Sequence, residues 1–507
     1  MTSGTDIVDK ALPTPGCVGY GARLRDLAER HPDKLAVIVV EIDGTETTLT
    51  YGELEAKSNQ AAWFLAKHGV DPASLVAIGE PNCVEHYVWT IGAWKLGACC
   101  LSLNPRLPNH ERDQILELAS PTVVISEWEG VGGLSNADLA DVWLESTDPQ
   151  PVDLVPRPGR AVASGGSTGR SKIIVLPGGL EYLADQPQEF YSGVGFAWGQ
   201  VQWIPGPLYH NMPHGWGFSG LAQDHTLVVQ AKFDAAQAVD LIERYGVNFG
   251  AIVPTHMSRI ARLPDIDSRD LSSIQSVMHS AAPCPPWVKR RWFELIGPEK
   301  VVEAFGATEA VGATMIRGDE WLEHPGSVGR PFECDLKILD EEGNELPPGE
   351  VGEVFTRPNG HEATYSYLGS APAKSTPDGY VSVGDLGWVD ADGYVFVADR
   401  RVDLIITGGS NVYPAEVEFA LMEHVAVGDV AVIGLADSEW GRRVHAVVER
   451  RADVTEEELR AWAKERVSHY KVPKTFEFVD KLPRNDAGKI RRSDMVKERD
   501  ALSGASA

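Results

Sequence analysis

The stretch Ser164-Gly165-Gly166-Ser167-Thr168-Gly169-Arg170-Ser171-Lys172 decides how the chain is read. Before it, Arg160-Ala161-Val162-Ala163 has the texture of a strand end. After it, Ile173-Ile174-Val175-Leu176 is an apolar run of strand type. A glycine-rich loop between two strands can turn backbone N–H groups, hydroxyls and a lysine onto one anion, and polyphosphate is the natural guest. The Walker phosphate loop is a different motif: it needs Gly-Lys-Ser/Thr opening a helix, whereas here Gly169 is followed by Arg170 and then strand residues. Taken alone, the stretch reads equally as a surface turn, since glycine and serine punctuate loops everywhere.

Outward from this loop, strands alternate with helices on both sides, the mark of a parallel α/β sheet. Upstream, strands are expected at 34–49, 75–78, 99–103 and 122–125. Helices are expected after Thr50, at 84–96 and at 109–118. Thr50 with Glu53 three residues on has the form of a capping box. Downstream, strands are expected at 201–204, 226–229, 249–253 and 276–278, with helices at 234–245 and 257–263. Two successive α/β units thus occupy about residues 20–330. From 330 the texture becomes turn-plus-strand, a small β unit, and the last 105 or so residues carry a periodicity of their own. There, helices are expected at 414–423 and 455–468, and strands at 430–435, 444–449 and 475–479. The fold class is therefore α/β. A large N-terminal domain (1–400) of parallel α/β sheets plus a small β unit precedes a small, mobile α+β C-terminal domain (401–507), joined by a hinge near 400–403.

At 507 residues the chain is too long for one core. Its formal charge of −27 argues against nucleic acid or an anionic membrane surface as partner. The six cysteines, at 17, 83, 99, 100, 284 and 334, form no CxxC pair and no cysteine/histidine cluster of metal spacing. They read as free thiols in a reducing cytoplasm. Met1 to Gly16 has charges and prolines but no apolar segment, so no signal peptide is expected, and no run is apolar enough to span a membrane.

Five short stretches in fixed order then align with one family: SGGSTGRSK at 164–172, FGATE at 305–309, VGDLG at 383–387, DRRVDLIITGGSNVYPAEVE at 399–418 and PRNDAGKIRR at 483–492. Supporting matches are TYGEL at 50–54, LNPRL at 103–107, PLYHN at 207–211 and YKVPK at 470–474. The chain resembles the adenylate-forming superfamily of acyl-CoA synthetases, peptide-synthetase adenylation domains and luciferases, over nearly its whole length. The resemblance implies an acid–thiol ligase that uses ATP, Mg²⁺ and coenzyme A. A carboxylate attacks the α-phosphate to give acyl-AMP and pyrophosphate; the small domain then rotates and a thiol displaces AMP.

The site residues follow from the same resemblance. Ser164, Gly165, Gly166, Ser167, Thr168, Gly169 and Lys172 would hold the β- and γ-phosphates, and Glu309 the Mg²⁺. Thr308 would contact the AMP phosphate, Phe305 would stack on adenine with Gly306 beside it in the nucleotide site, and Ser280, Ala281 and Ala282 would lie beside adenine and the acyl carboxylate. Asp385 and Arg400 would take the ribose. Lys489 would bridge carboxylate and α-phosphate oxygens, a role suited to a point charge on a long stem. His210 would gate the acyl pocket, and Gly408 and Gly409 would line the pantetheine path. The bland alternatives are a solvated acid for Glu309, a turn cap for Asp385, a surface pair for Arg400, one basic residue in a basic run for Lys489, a structural histidine for His210 and an ordinary turn for the glycines.

Three positions depart from the family pattern: Ser171 where proline is usual, Ser280 where glycine is common, and Val402 at the hinge, where a polar residue is usual. They bear on the balance of the two half-reactions. The acid expected is bulky and apolar, including polycyclic, framed by residues 207–220 and 254–257 with Trp216 and Phe218 as walls and Gly215 and Gly217 leaving room. The expected activity is an acyl-CoA ligase. The alternatives are a fold specialised for thioester formation with weak adenylation, loading of a carrier-protein thiol, and a non-catalytic adenylate-binding protein. Whether the chain forms a homodimer is left open.

Overall fold

Helix and strand formation follows local chemistry closely at several points. Thr50 and Glu53 do close a capping box at the start of the helix Tyr51–Lys67, satisfying two of the N–H groups a helix start leaves open. The helix Val84–Lys95 stops before Gly97, whose φ of 74° lies in the left-handed region. These two helices cross closely because Gly92 has no side chain: a Cβ there would lie 2.9 Å from that of Ala61. Lys95 is buried at the crossing, its Nζ 2.7 Å from Glu55 and 2.6 Å from the Asn59 side-chain oxygen.

The protein is described here from a computed structural model covering residues 12–150, 152–165, 171–176, 178–183, 193–359, 365–437, 439–485 and 489–504. Among them, the large N-terminal domain holds a nine-stranded and a six-stranded sheet. In the nine-stranded sheet, Leu35–Val40, Thr226–Gln230, Val201–Ile204, Phe249–Ile252, Ser276–His279 and Val301–Gly306 run parallel. Glu46–Thr50 at one edge and Ala313–Arg317 with Arg330–Phe332 at the other run antiparallel. In the six-stranded sheet, Val123–Ser126, Leu75–Gly79, Cys99–Ser102 and Arg160–Gly165 are parallel. Ser171–Leu176 and Ser366–Leu368 then add antiparallel.

Two sequence expectations are corrected here. The strand near residues 34–40 precedes the first α/β unit in the chain but pairs into the second sheet, beside Thr226–Gln230. Ser366–Leu368, from the region assigned to the small β unit, returns to the first sheet beside Ser171–Leu176. Neither pairing leaves a mark on local periodicity.

The small β unit is built around Cys334–Leu339, Gly352–Pro358, Asp385–Val389 and Val395–Arg400. The C-terminal domain pairs the long hairpin Val427–Asp437 and Gly441–Arg450 with Thr475–Val479, and carries the helices Pro414–Met422, Glu456–Lys464 and Arg492–Gly504. It is an α+β domain with its own apolar core, including Val430, Val432, Val444, Val448 and Leu459. Among the described residues, no helix is long and apolar enough to cross a membrane.

Candidate functional site

The parallel strands Ser276–His279 and Val301–Gly306 lie side by side. Their C-terminal ends release Ser280-Ala281-Ala282 and Ala307-Thr308-Glu309 into one cleft of about 2760 Å³, also lined by Phe305 and Gly306. In open α/β sheets this edge is where ligands bind. Ala281 holds a φ of 76°, a left-handed conformation that costs a non-glycine residue about 1–2 kcal/mol. The same turn carries Ser280, so the floor of the cleft is a constrained backbone.

Across the cleft stands the hairpin formed by Arg160–Gly165 and Ser171–Leu176, in register with Ser164 opposite Lys172 and Gly165 opposite Ser171. The strand–loop–strand reading of this stretch thus holds for its two arms. Gly166, Ser167, Thr168 and Gly169 lie outside the described residues. Lys172 Nζ is 3.1 Å from Glu309 Oε1, and the Tyr367 hydroxyl donates to the same oxygen at 2.6 Å. Lys172 also stands over the Tyr367 ring, 4.0 Å from its centroid. Burial alone would raise the Glu309 pKa, but the Tyr367 hydroxyl and the Lys172 ammonium outweigh it and hold the carboxyl below its usual value. A buried carboxylate kept anionic at the rim of a polyanion site is a fit donor for a hard divalent cation.

Sequence reasoning missed Tyr367. It reaches Glu309 because Tyr367 pairs with Ile174 on the strand that carries Lys172. That neighbour is almost two hundred residues away in the chain, and no local signal announces it.

Asp385 and Arg400 face one another across the strands Asp385–Val389 and Val395–Arg400, with Arg400 Nε 3.4 Å from Asp385 Oδ1. Burial raises the Asp385 pKa while Arg400 and Lys489 pull it back. Lys489 arrives from the C-terminal domain. Its turn is clamped by Asn485, whose side chain accepts from the Lys489 N–H at 2.9 Å and whose own N–H donates to the Lys489 carbonyl at 2.9 Å. Lys489 keeps surface open to water because the cleft is wide, yet protein surrounds it. That enclosure, with Arg400, lowers its pKa, and Asp385 and Glu309 oppose the shift.

The structure therefore brings Lys172, Ser280, Ala281, Ala282, Phe305, Gly306, Thr308, Glu309, Asp385, Arg400, Lys489 and His210 to one cleft. Gly408 and Gly409 are elsewhere, at the tip of the hairpin Ile405–Thr407 and Ser410–Val412. There Gly408 donates to the Trp440 carbonyl at 2.9 Å. The expected opening at Gly217 is also not found: it faces the core, 3.7 Å from Ile204 on a Cβ basis. Phe218 is buried among Tyr87 and Trp94 but still contributes to the cleft wall.

Fold and cleft together define a two-domain α/β enzyme whose cleft lies where the domains meet. The order of the two domains is shared with a known group. The chain belongs to the AMP-binding enzyme family: the family's model matches residues 24–366, and that of the AMP-binding enzyme C-terminal domain matches 416–489. It is 33% identical to a feruloyl-CoA synthase from Amycolatopsis sp., covering 89% of this chain and 94% of that one. It is 31% identical to a 2-succinylbenzoate–CoA ligase of Bacillus licheniformis, covering 92% and 98%. Among solved structures it resembles o-succinylbenzoate coenzyme A synthetase from Bacillus subtilis in complex with ATP and a magnesium ion, with a TM-score of 0.78, 27% identity and coverage of 94% and 99%.

Proposed function

We propose that the chain is an AMP-forming acid–thiol ligase that activates a bulky, largely apolar carboxylic acid as its acyl-adenylate and transfers the acyl group to coenzyme A. The observation that carries this reading is the convergence of Lys489 from the small domain with Asp385, Arg400 and Glu309 from the large one. The proposed domain division falls between Arg400 and Arg401. The relatives named above, a feruloyl-CoA synthase and a 2-succinylbenzoate–CoA ligase, support both the reaction and the bulk of the acid.

The first half-reaction brings a carboxylate against a polyanion, so alignment and charge neutralisation dominate it. Lys172 and the backbone of the hairpin take the outer phosphates. Glu309 is the residue to hold Mg²⁺, which when bound neutralises phosphate charge. Phe305 and the Ala281–Ala282 backbone flank the base, and Asp385 with Arg400 takes the ribose hydroxyls. Lys489 spans carboxylate and α-phosphate oxygens while the carboxylate oxygen attacks phosphorus and the bond to pyrophosphate breaks. Thr308 steadies the phosphate that remains. In the second half-reaction a thiolate sulfur attacks the acyl carbon, the carbon–oxygen bond to AMP breaks, and Gly408 and Gly409 form the path of the thiol arm. His210, at the start of the helix Asn211–Ala222, closes the acyl end.

ATP–pyrophosphate exchange without coenzyme A, across aliphatic, aromatic and polycyclic acids, tests the reading. Exchange with one class of acid is expected. Lys489→Ala should lower it about a hundredfold or more, in line with loss of a transition-state charge contact, while thioester formation from preformed acyl-AMP is spared. Equal loss of both half-reactions would remove Lys489 from its assigned role. No turnover of preformed acyl-AMP with coenzyme A would overturn the reading itself.

A further inference from the structure

The acyl end of the cleft contains a polar pair that adenylation does not use. The helix Asn211–Ala222 follows the parallel strand Val201–Ile204, so it starts at the ligand edge of the sheet and runs away from it. His214 lies one turn, about 5.4 Å, further in than His210, its N–H donating to the His210 carbonyl at 3.2 Å. The His214 side chain is 97% buried, at 3% exposure, and neither ring nitrogen has a hydrogen-bond partner. Leaving a buried polar group unsatisfied costs about 1–3 kcal/mol, so a ring with two such atoms at a cavity wall points to something that binds there.

The neighbours say what that is. Trp94 and Phe218 flank the ring, with centroids 5.8 and 4.5 Å away, and offer it no acceptor. On the cavity side stands Arg160, the first residue of the strand Arg160–Gly165. Its guanidinium reaches over the helix because Gly215 has no side chain: a Cβ there would lie 2.8 Å from Nη1. Arg160 also donates to the Asn211 carbonyl at 3.4 Å. Burial first, then the Arg160 charge, drive the His214 pKa well down, so the ring is neutral and presents one donor and one acceptor. Val162, Ile174 and Tyr182 complete an otherwise apolar stretch of the same cleft.

We propose that Arg160 and His214 bind a second carboxylate at the far end of the acyl substrate, so that the acid this enzyme activates is a dicarboxylate with an apolar body. A guanidinium meets a carboxylate by charge-assisted hydrogen bonds, and the His214 N–H donates to the same group. The inference rests on the adenylate-site reading above and deepens it. A site built to hydrogen-bond a substrate group discriminates strongly against the analogue that lacks it. A plain fatty acid of the same length is therefore the poorer substrate.

The test is calorimetric titration of the full chain with hydrolysis-resistant acyl-sulfamoyl adenosines in matched pairs: butanoyl with succinyl, octanoyl with suberoyl, and 4-phenylbutanoyl with 4-(4-carboxyphenyl)butanoyl. In at least one pair the carboxylated ligand should bind about tenfold tighter or more. Arg160→Met and His214→Phe should each erase most of that difference and leave the affinity for the uncarboxylated partner within about twofold. Equal affinities throughout, or weaker binding of every carboxylated ligand, would overturn the proposal and leave the adenylate site standing. Failure of all six ligands to bind would overturn the adenylate-site reading, and the proposal with it. The comparison of paired ligands is made on the unaltered chain, so it stands even where a variant fails to fold.

Discussion

Glu309 shows how much a single side chain depends on its partners. Its carboxyl is buried, which by itself favours the neutral acid; the Tyr367 hydroxyl and Lys172 reverse that preference. Tyr367→Phe removes one of the two and keeps the ring under Lys172. The Glu309 pKa should then rise, so the acid limb of the adenylation pH profile should move to higher pH, with the alkaline limb unchanged. A profile of pyrophosphate exchange against pH for the two proteins checks this. An acid limb at the same pH in both would show that Tyr367 does not control the charge on Glu309. Lys172→Met removes the proposed phosphate contact as well as a charge beside Glu309, and should lower exchange at every pH in addition to moving the acid limb upward.

At the level of elements, what the sequence made legible depended on whether the cause was local. The capping box at Thr50, the glycine after Lys95 and the period-2 strands of the C-terminal domain are local, and all appear where expected. The helix Asn211–Ala222 escapes the periodicity reading because Pro213, Gly215 and Gly217 read as breakers and its apolar residues mark out no single face. Gly215 and Gly220 are there for close packing: a Cβ would lie 2.8 Å from Arg160 Nη1 at the first and 2.0 Å from Gln202 Oε1 at the second. Sheet membership of Leu35–Val40 and of Ser366–Leu368 is set by pairing across long loops, which no window of sequence contains. The same holds for the cluster beyond the strand Val395–Arg400. There Asp399 accepts from the Ala415 N–H at 3.1 Å, and Arg492 joins Glu418 at 2.8 Å and Asp403 at 3.2 Å. Burial raises the Asp399 pKa to about 6, against the pull of Arg492 and with the push of Glu418. A folded-state pKa above the unfolded one contributes stability that is full below the unfolded value and is lost as pH rises through the folded one. Asp399 therefore favours the folded state most below about pH 4 and loses that contribution by about pH 6. Asp399→Asn should flatten this dependence. The difference in thermal midpoint, variant minus wild type, should grow from pH 4 to pH 6.5 and then level off; a constant difference would show that Asp399 does not titrate in this window.

At the scale of the whole molecule, the arrangement seen has Lys489 in the cleft and Gly408–Gly409 outside it; on the roles proposed for them, it suits one half-reaction and not the other. Among the contacts between the domains, two lie away from the hinge. Arg262 donates to the Gly428 carbonyl at 2.6 Å and stacks over Trp287 at 4.7 Å. Arg491 meets Glu111 at 3.2 Å. The second is an exposed ion pair and is worth little, about 0–1 kcal/mol; the first is a charge-assisted bond to a backbone oxygen and counts for more. Val402, 68% exposed, lies in the turn between Arg400 and Ile405 and packs against little, so the chain there can change its torsions without breaking a core. If the small domain alternates between two positions, mutations on the two sets of contacts must have opposite signatures. Arg262→Met removes a contact made only in the present arrangement. It should slow pyrophosphate exchange severalfold and leave thioester formation from preformed acyl-AMP unchanged or faster. Gly409→Leu puts a side chain into open space in the present arrangement, at a φ of 81° that costs about 1–2 kcal/mol. It should leave exchange nearly intact and slow the thioester step tenfold or more, about 1.4 kcal/mol or above. Both rates are read on the same preparations, so a general loss of folded protein would lower them together. If each variant keeps its folded fraction yet lowers both half-reactions in parallel, the small domain works from one position, and the path of the thiol must be sought on the face of the cleft that Lys489 already occupies.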